Sequence, residues 1–179
     1  MHDLPRIKSC DESKPLKCNA EQLRSCLRTI AHQIPREKLV FVCIGSDRST
    51  GDSLGPLVGS GLLRSGFTEV IGSLDAPCDA SNLIQRIVDI PEDRVVIAID
   101  ACLGHASTVG YYLVHDKPLQ PAESVGTVLP AVGHYSIAAV VNANGPKPYW
   151  TLATTSLYDV IRQAKEITEA IVLTFARDY

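Results

Sequence analysis

Two short runs of wholly apolar residues constrain this chain more than any other feature: residues 39–44 (LVFVCI) and residues 95–99 (VVIAI). Runs of this length and composition fit strands buried on both faces, as in a parallel sheet. Between and after them the pattern turns helical, so strands alternate with helices from Leu39 onward. That alternation predicts an α/β, three-layer sandwich, with a mostly parallel sheet flanked by helices. The chain has 179 residues, enough for one domain with a full core.

The first 18 residues are polar and contain Pro5 and Pro15; they read as an N-terminal extension, with a single α/β domain over 19–179. Leu23, Cys26, Leu27, Ile30 and Ile34 share one helical face. Asn19 and Gln22 form a box-like cap for that helix, and Pro35 stops it. After the first strand comes a polar loop, 45–52, then a helix carrying Leu54, Leu57, Val58 and Leu62. Pro56 fits its first turn, and Gly55 and Gly59 let it approach its neighbours. Residues 69–74 read as a strand, and Leu83, Ile84, Ile87 and Val88 as a helix ended by Pro91. Residues 108–114 read as an antiparallel or edge strand, 127–132 as a further strand, 134–141 as a helix, and 149–153 as a short strand. A long helix follows from Leu157, with an S-x-x-D cap from Ser156 and Asp159.

Composition excludes several functions. The net charge is -3, which gives no basic footprint for nucleic acid or an anionic membrane, and aromatic residues are scarce, which argues against a base-stacking surface. No apolar run nears the roughly 20 residues that span a bilayer, and the N-terminus lacks the apolar core of a signal peptide. A cytoplasmic protein is expected. The six cysteines, Cys10, Cys18, Cys26, Cys43, Cys78 and Cys102, form no C-x-x-C pair and read as free thiols. Cys102 as a nucleophile, with His105 or His134 as base, ranks below a packed thiol.

Ligands of open α/β sheets bind beyond the carboxyl ends of the strands. Two segments fall there, 45–56 (GSDRSTGDSLGP) and 99–105 (IDACLGH). The first has the outline of a phosphate cradle but matches neither the dinucleotide nor the P-loop pattern. Read alone, Asp52 is an N-cap. Asp100 ends an apolar strand, where an unpaired carboxylate is costly. Two carboxyls facing each other across neighbouring strand ends cannot both ionise easily, so one keeps its proton. One then activates water while the other polarises a carbonyl. Asp52, at a helix N-terminus, is expected to be the more acidic. With His134 over the same cleft, Asp52, Asp100 and His134 would form an O,O,N site for a divalent metal. His105 ranks lower.

The pairing of T-G-D-S-L-G-P at 50–56 with V-V-I-A-I-D-A at 95–101 resembles the spore germination protease family, whose fold is that of the hydrogenase maturation proteases. A small sporulation-protein branch of that superfamily is closer still. The resemblance runs from about Leu39 to the C-terminus. It implies a role in spore formation or germination, and a cytoplasmic site that includes the spore or forespore. It also implies a catalytic aspartate pair at Asp52 and Asp100 that needs no metal. By the hydrogenase maturation proteases, it implies metal contacts at Asp52, Asp100 and His134. The chain is much shorter than the germination proteases and lacks the insertions that could shape their substrate groove.

The leading expectation is aspartate-dependent amide hydrolysis of a protein or peptide substrate, with no cofactor. The alternatives are a metal-dependent hydrolase in the same cleft and a non-catalytic sporulation binding protein. A homodimer is left open.

Overall fold

The computed structural model describes residues 4–7, 13–121 and 129–175. Its strands are β1 (Leu16–Cys18), β2 (Leu39–Cys43), β3 (Val70–Ile71), β4 (Val95–Gly104), β5 (Tyr112–His115) and β6 (Tyr135–Ala143). Its α-helices are α1 (Ala20–Ala31), α2 (Leu54–Arg64), α3 (Leu83–Ile87), α4 (Pro148–Ala153) and α5 (Leu157–Phe175). The strands form one sheet in the order β1-β5-β6-β4-β2-β3. β3, β2, β4 and β6 run parallel, while β5 lies antiparallel to β6 and β1 antiparallel to β5. The expected mostly parallel sheet flanked by helices is what forms.

Alternation along the strands splits the core in two. Phe41, Ile97, Ile99, Tyr135, Ile137 and Val141 face α1, α2 and α5, whose Leu23, Leu27, Val58, Leu62, Val160 and Ile167 close over them. Val40, Val42, Val96 and Ala98 face the other way, onto Leu83 of α3 and the connecting segments at Cys78, Leu119 and Val132. Among the described residues, the first face carries three helices and the second only the five-residue α3. α1 begins as its sequence predicts: the Gln22 N–H donates to Asn19 Oδ1 at 2.9 Å, and the Asn19 N–H donates to Gln22 Oε1 at 3.0 Å.

Several expectations are corrected. Residues 134–141 are not a helix: Tyr135–Ala143 is the strand β6, hydrogen-bonded to β4 on one side and β5 on the other. Its apolar residues fit a helical spacing, but two neighbouring backbones offer partners that a helix would leave unused. Residues 149–153 are not a strand but lie in α4, with Pro148 in its first turn. There Thr151 and Thr154 hydroxyls donate to the carbonyls of Lys147 and Trp150. β5 is antiparallel, as expected, but starts later, because Ala106–Thr108 forms a 3-10 turn and Gly110 has a positive φ of 88°. It is an interior strand, since β1 pairs along its outer side. The strand expected over 127–132 falls partly outside the described residues; Val132 makes an isolated bridge with Leu119. The described part of the N-terminal extension is built into the domain. Leu16–Cys18 is a strand, Ile7 is buried, and the Tyr135 hydroxyl donates to the Pro5 carbonyl at 2.8 Å.

Candidate active site

β2 ends level with Ile99 of β4, and its chain leaves the sheet where the Ile44 N–H donates to the Ile99 carbonyl at 2.7 Å. Gly45 then turns sharply at φ +143°, and a Cβ there would lie 2.0 Å from the Asp52 carbonyl oxygen. Only glycine allows that approach. The loop closes on itself: the Ser46 N–H donates to the Asp52 carbonyl at 3.1 Å, and the Ser53 N–H donates to the Ser49 carbonyl at 3.0 Å. Asp52 sits in the resulting 3-10 turn, Gly51–Ser53, directly before α2. Neither that turn nor α2 has a side-chain cap bond, so the Asp52 carboxylate is not used as the N-cap it resembles in sequence. α4 packs on the same turn, with Gly51 tight against Leu152.

β4 does not stop at Asp100. It runs on to Gly104, past the end of β2. Asp100 therefore has β6 beside it, opposite Ala138, and no strand where β2 has turned away. By alternation its side chain shares a face with Val96, Ala98 and Cys102. Its Oδ1 accepts the Ala101 N–H at 2.7 Å. Burial pushes the Asp100 carboxyl up to about 8; the Ala101 N–H opposes this, and the charge of Asp52 adds to it. At neutral pH Asp100 thus keeps its proton, and Asp52 is near enough for its charge to be felt there. Asp52, in the turn before α2, and Asp100, on β4, come from different elements, and the charge of the first is felt at the second.

The thiols nearby are neutral. Burial holds Cys78 up at about 11 and Cys102 up at about 12, with Asp100 raising both further. A thiol held neutral in this way is a poor nucleophile, which favours the packed-thiol reading of Cys102. Asp79, next to Cys78, was not singled out by sequence. It pairs with Arg48 at 2.8 Å, and Arg48 also donates from its backbone N–H and Nε to Ser46 Oγ, each at 3.2 Å. This pair ties the 45–52 loop to the next connection. The only sequence signal for it is a lone Arg in a polar loop.

His134 is placed elsewhere, and the expected third ligand is corrected. Its N–H donates to the Val96 carbonyl at 2.8 Å, and its Nδ1 accepts the Val96 N–H at 3.0 Å. Val96 lies four residues before Asp100 on β4, about 13 Å along an extended strand. His134 is therefore at the amino ends of the strands, and Asp52, Asp100 and His134 do not form the proposed metal trio. Among the described residues no group of three His, Cys, Asp or Glu side chains is arranged to hold a metal ion. His105 is exposed beyond the end of β4 and bonded to Ser107, outside the pair as well. Among the described residues no helix is long and apolar enough to cross a membrane.

A [NiFe] hydrogenase maturation protease, HycI from Thermococcus kodakarensis KOD1, matches with a TM-score of 0.53 over 78% of this chain and 93% of its own, at 18% identity. That likeness supports a shared protease-like fold. The uncharacterized protein YyaC of Bacillus subtilis (strain 168) is 40% identical over 160 residues, covering 87% of this chain and 78% of YyaC. The pattern of a family described as "Protein of unknown function (DUF1256)" matches residues 13–170. The chain belongs to the DUF1256 family.

Proposed function

We propose that this protein is a peptidase-like hydrolase that cleaves an amide bond in a protein or peptide substrate, with Asp52 and Asp100 as its acid–base pair. The observation that carries this reading is a neutral Asp100 carboxyl, held up to about 8, within electrostatic reach of Asp52. A protonated acid beside a carboxylate is the division of labour that water attack on an amide needs. The Asp52 carboxylate takes a proton from water as its oxygen bonds to the carbonyl carbon. Asp100 gives its proton to the carbonyl oxygen. On collapse, the C–N bond breaks, the amine leaves with the proton from Asp52, and the new carboxyl returns a proton to Asp100. No metal takes part in these steps. The Thr50-to-Pro56 and Val95-to-Ala101 motifs resemble those of germination proteases, which favours a spore protein as substrate and the cytoplasm, including the spore or forespore, as its place.

The test is to incubate the protein with small acid-soluble spore proteins and map new N-termini by mass spectrometry. Asp52→Asn and Asp100→Asn are each expected to slow cleavage by about a hundredfold or more. His134→Ala and added chelator are expected to leave it intact. Cleavage should fall as pH rises through about 8, where Asp100 loses its proton. Equal cleavage by wild type and both Asn variants would end the hydrolytic reading, and loss with chelator would move it to metal chemistry.

A further inference from the structure

Cys18 and Cys26 meet where the sheet passes into its first helix. Cys18 ends β1, directly before the Asn19 cap, and Cys26 lies on the buried face of α1. Both are free thiols, and their sulfur atoms stand 3.7 Å apart. Sulfurs in a disulfide lie about 2.05 Å apart, so rotation of the two side chains has little distance to close. Cys18 is fully buried, while Cys26 keeps 8% of its surface exposed. The contact also divides their chemistry. A hydrogen bond from the Cys18 thiol holds Cys26 below its ordinary range, and the same contact, then burial, pushes Cys18 up. The Leu16 carbonyl, 3.6 Å from the Cys18 sulfur, is that thiol's other acceptor. Burial pushes Cys43, Cys78 and Cys102 up. Among the described cysteines, Cys26 therefore has the most thiolate character, which is what oxidation selects.

We infer that Cys18 and Cys26 are an oxidation site, which hydrogen peroxide converts to a disulfide tying β1 to α1. The Cys26 thiolate attacks one peroxide oxygen. The O–O bond breaks, the sulfur becomes a sulfenic acid, and the departing hydroxide takes up a proton as water. The Cys18 sulfur then attacks the Cys26 sulfur. The S–S bond forms, the S–O bond breaks, and hydroxide leaves as water with the Cys18 proton. Both thiols are oxidised, and the peroxide is reduced to water. An oxidant this small suits the narrow access at Cys26. Because β1 pairs along β5, the bond fastens the start of the chain to the sheet through α1. Added thiol reverses it.

The test treats reduced, full-length, folded protein with hydrogen peroxide, alkylates it after denaturation and maps it by tandem mass spectrometry. A Cys18–Cys26 linkage is expected, with a chain mass about 2 Da below the reduced one, and dithiothreitol should restore both thiols. Cys18→Ser should leave a sulfenic acid at Cys26 for a dimedone probe to trap, and Cys26→Ser should leave Cys18 unlabelled. Bridged wild type should melt about 5 °C higher than reduced wild type, and neither variant should show that rise. Peroxide that oxidises other cysteines while Cys18 and Cys26 stay fully alkylated overturns the site, as does a bridge from either one to a different cysteine. Dimedone on Cys18 in the Cys26→Ser protein overturns the order of attack. An unchanged melting point in the bridged protein overturns the tie between β1 and α1.

Discussion

The Asp100 carboxyl sheds its proton near pH 3.8 in an unfolded chain and near about 8 in the folded one. Between those values the folded protein holds the extra proton, so stability falls as pH rises. The full contribution is present below pH 3.8 and is gone above about pH 8. Asn at this position keeps an acceptor for the Ala101 N–H and has nothing to ionise. Asp100→Asn is therefore expected to melt higher than wild type by several degrees at pH 8, with the gap closing toward pH 4. For a domain of this size about 1 kcal/mol shifts Tm by roughly 2–4 °C. Calorimetric scans across that range check it; a constant gap would mean that Asp100 is not protonated in the fold. A group that destabilises the fold at working pH is the sort of residue an active site retains.

At the scale of elements, α2 and the turn before it decide where Asp52 stands. Gly55 and Gly59 let α2 lie directly on the sheet: a Cβ at Gly55 would meet the Ile44 carbonyl oxygen at 1.9 Å, and one at Gly59 the Gly72 oxygen at 1.8 Å. Both obstacles are backbone and cannot turn aside. Gly55→Ala is expected to cost about 1–3 kcal/mol, as overpacking does, and to reduce any activity by moving the Asp52 turn. Gly61→Ala, on the same helix, meets only the Thr168 side chain, which can change rotamer. Urea melts of the two variants should separate them clearly. Equal losses would show that α2 is not held by its contact with the β2 end.

The whole molecule depends on its first residues more than their polarity suggests. β1 pairs along β5, Leu16 and Cys18 pack into the first-face core, and the buried Tyr135 hydroxyl has the Pro5 carbonyl as its partner. Deleting residues 1–18 would bare β5 as an edge strand and leave that hydroxyl unpaired, a loss of about 1–3 kcal/mol by itself. The truncated protein is expected to melt lower by about 5 °C or more and to aggregate on heating. A melting point within about 1 °C of full length would show the segment to be dispensable.

Local pattern alone was enough for β2, the first half of β4, α1 and α5, because an apolar run or a 3.6-residue stripe is a property of consecutive residues. The same reading singled out Asp100, since a carboxylate ending an apolar run stands out without any neighbour, whereas Asp52, in a polar loop, drew notice only from its place beyond the strand ends and from the family resemblance. It did not suffice for residues 135–143, whose Ile137, Val140 and Val141 suit a helix while Tyr135, Ile137, Ala139 and Val141 suit a strand. There the open edges of β4 and β5 made the choice, and residues far apart in the chain supply them. The same holds for the length of β4, which runs past Asp100 because β6 continues beside it. His134 was joined to the aspartates by sequence and parted from them by topology: β6 runs parallel to β4, so the residue before β6 must lie at the amino ends. Asp100's retained proton belongs to tertiary structure too. It comes from burial under distant segments and from a charge 48 positions earlier in the chain, and solvation and Coulomb forces act through space, where sequence distance has no meaning.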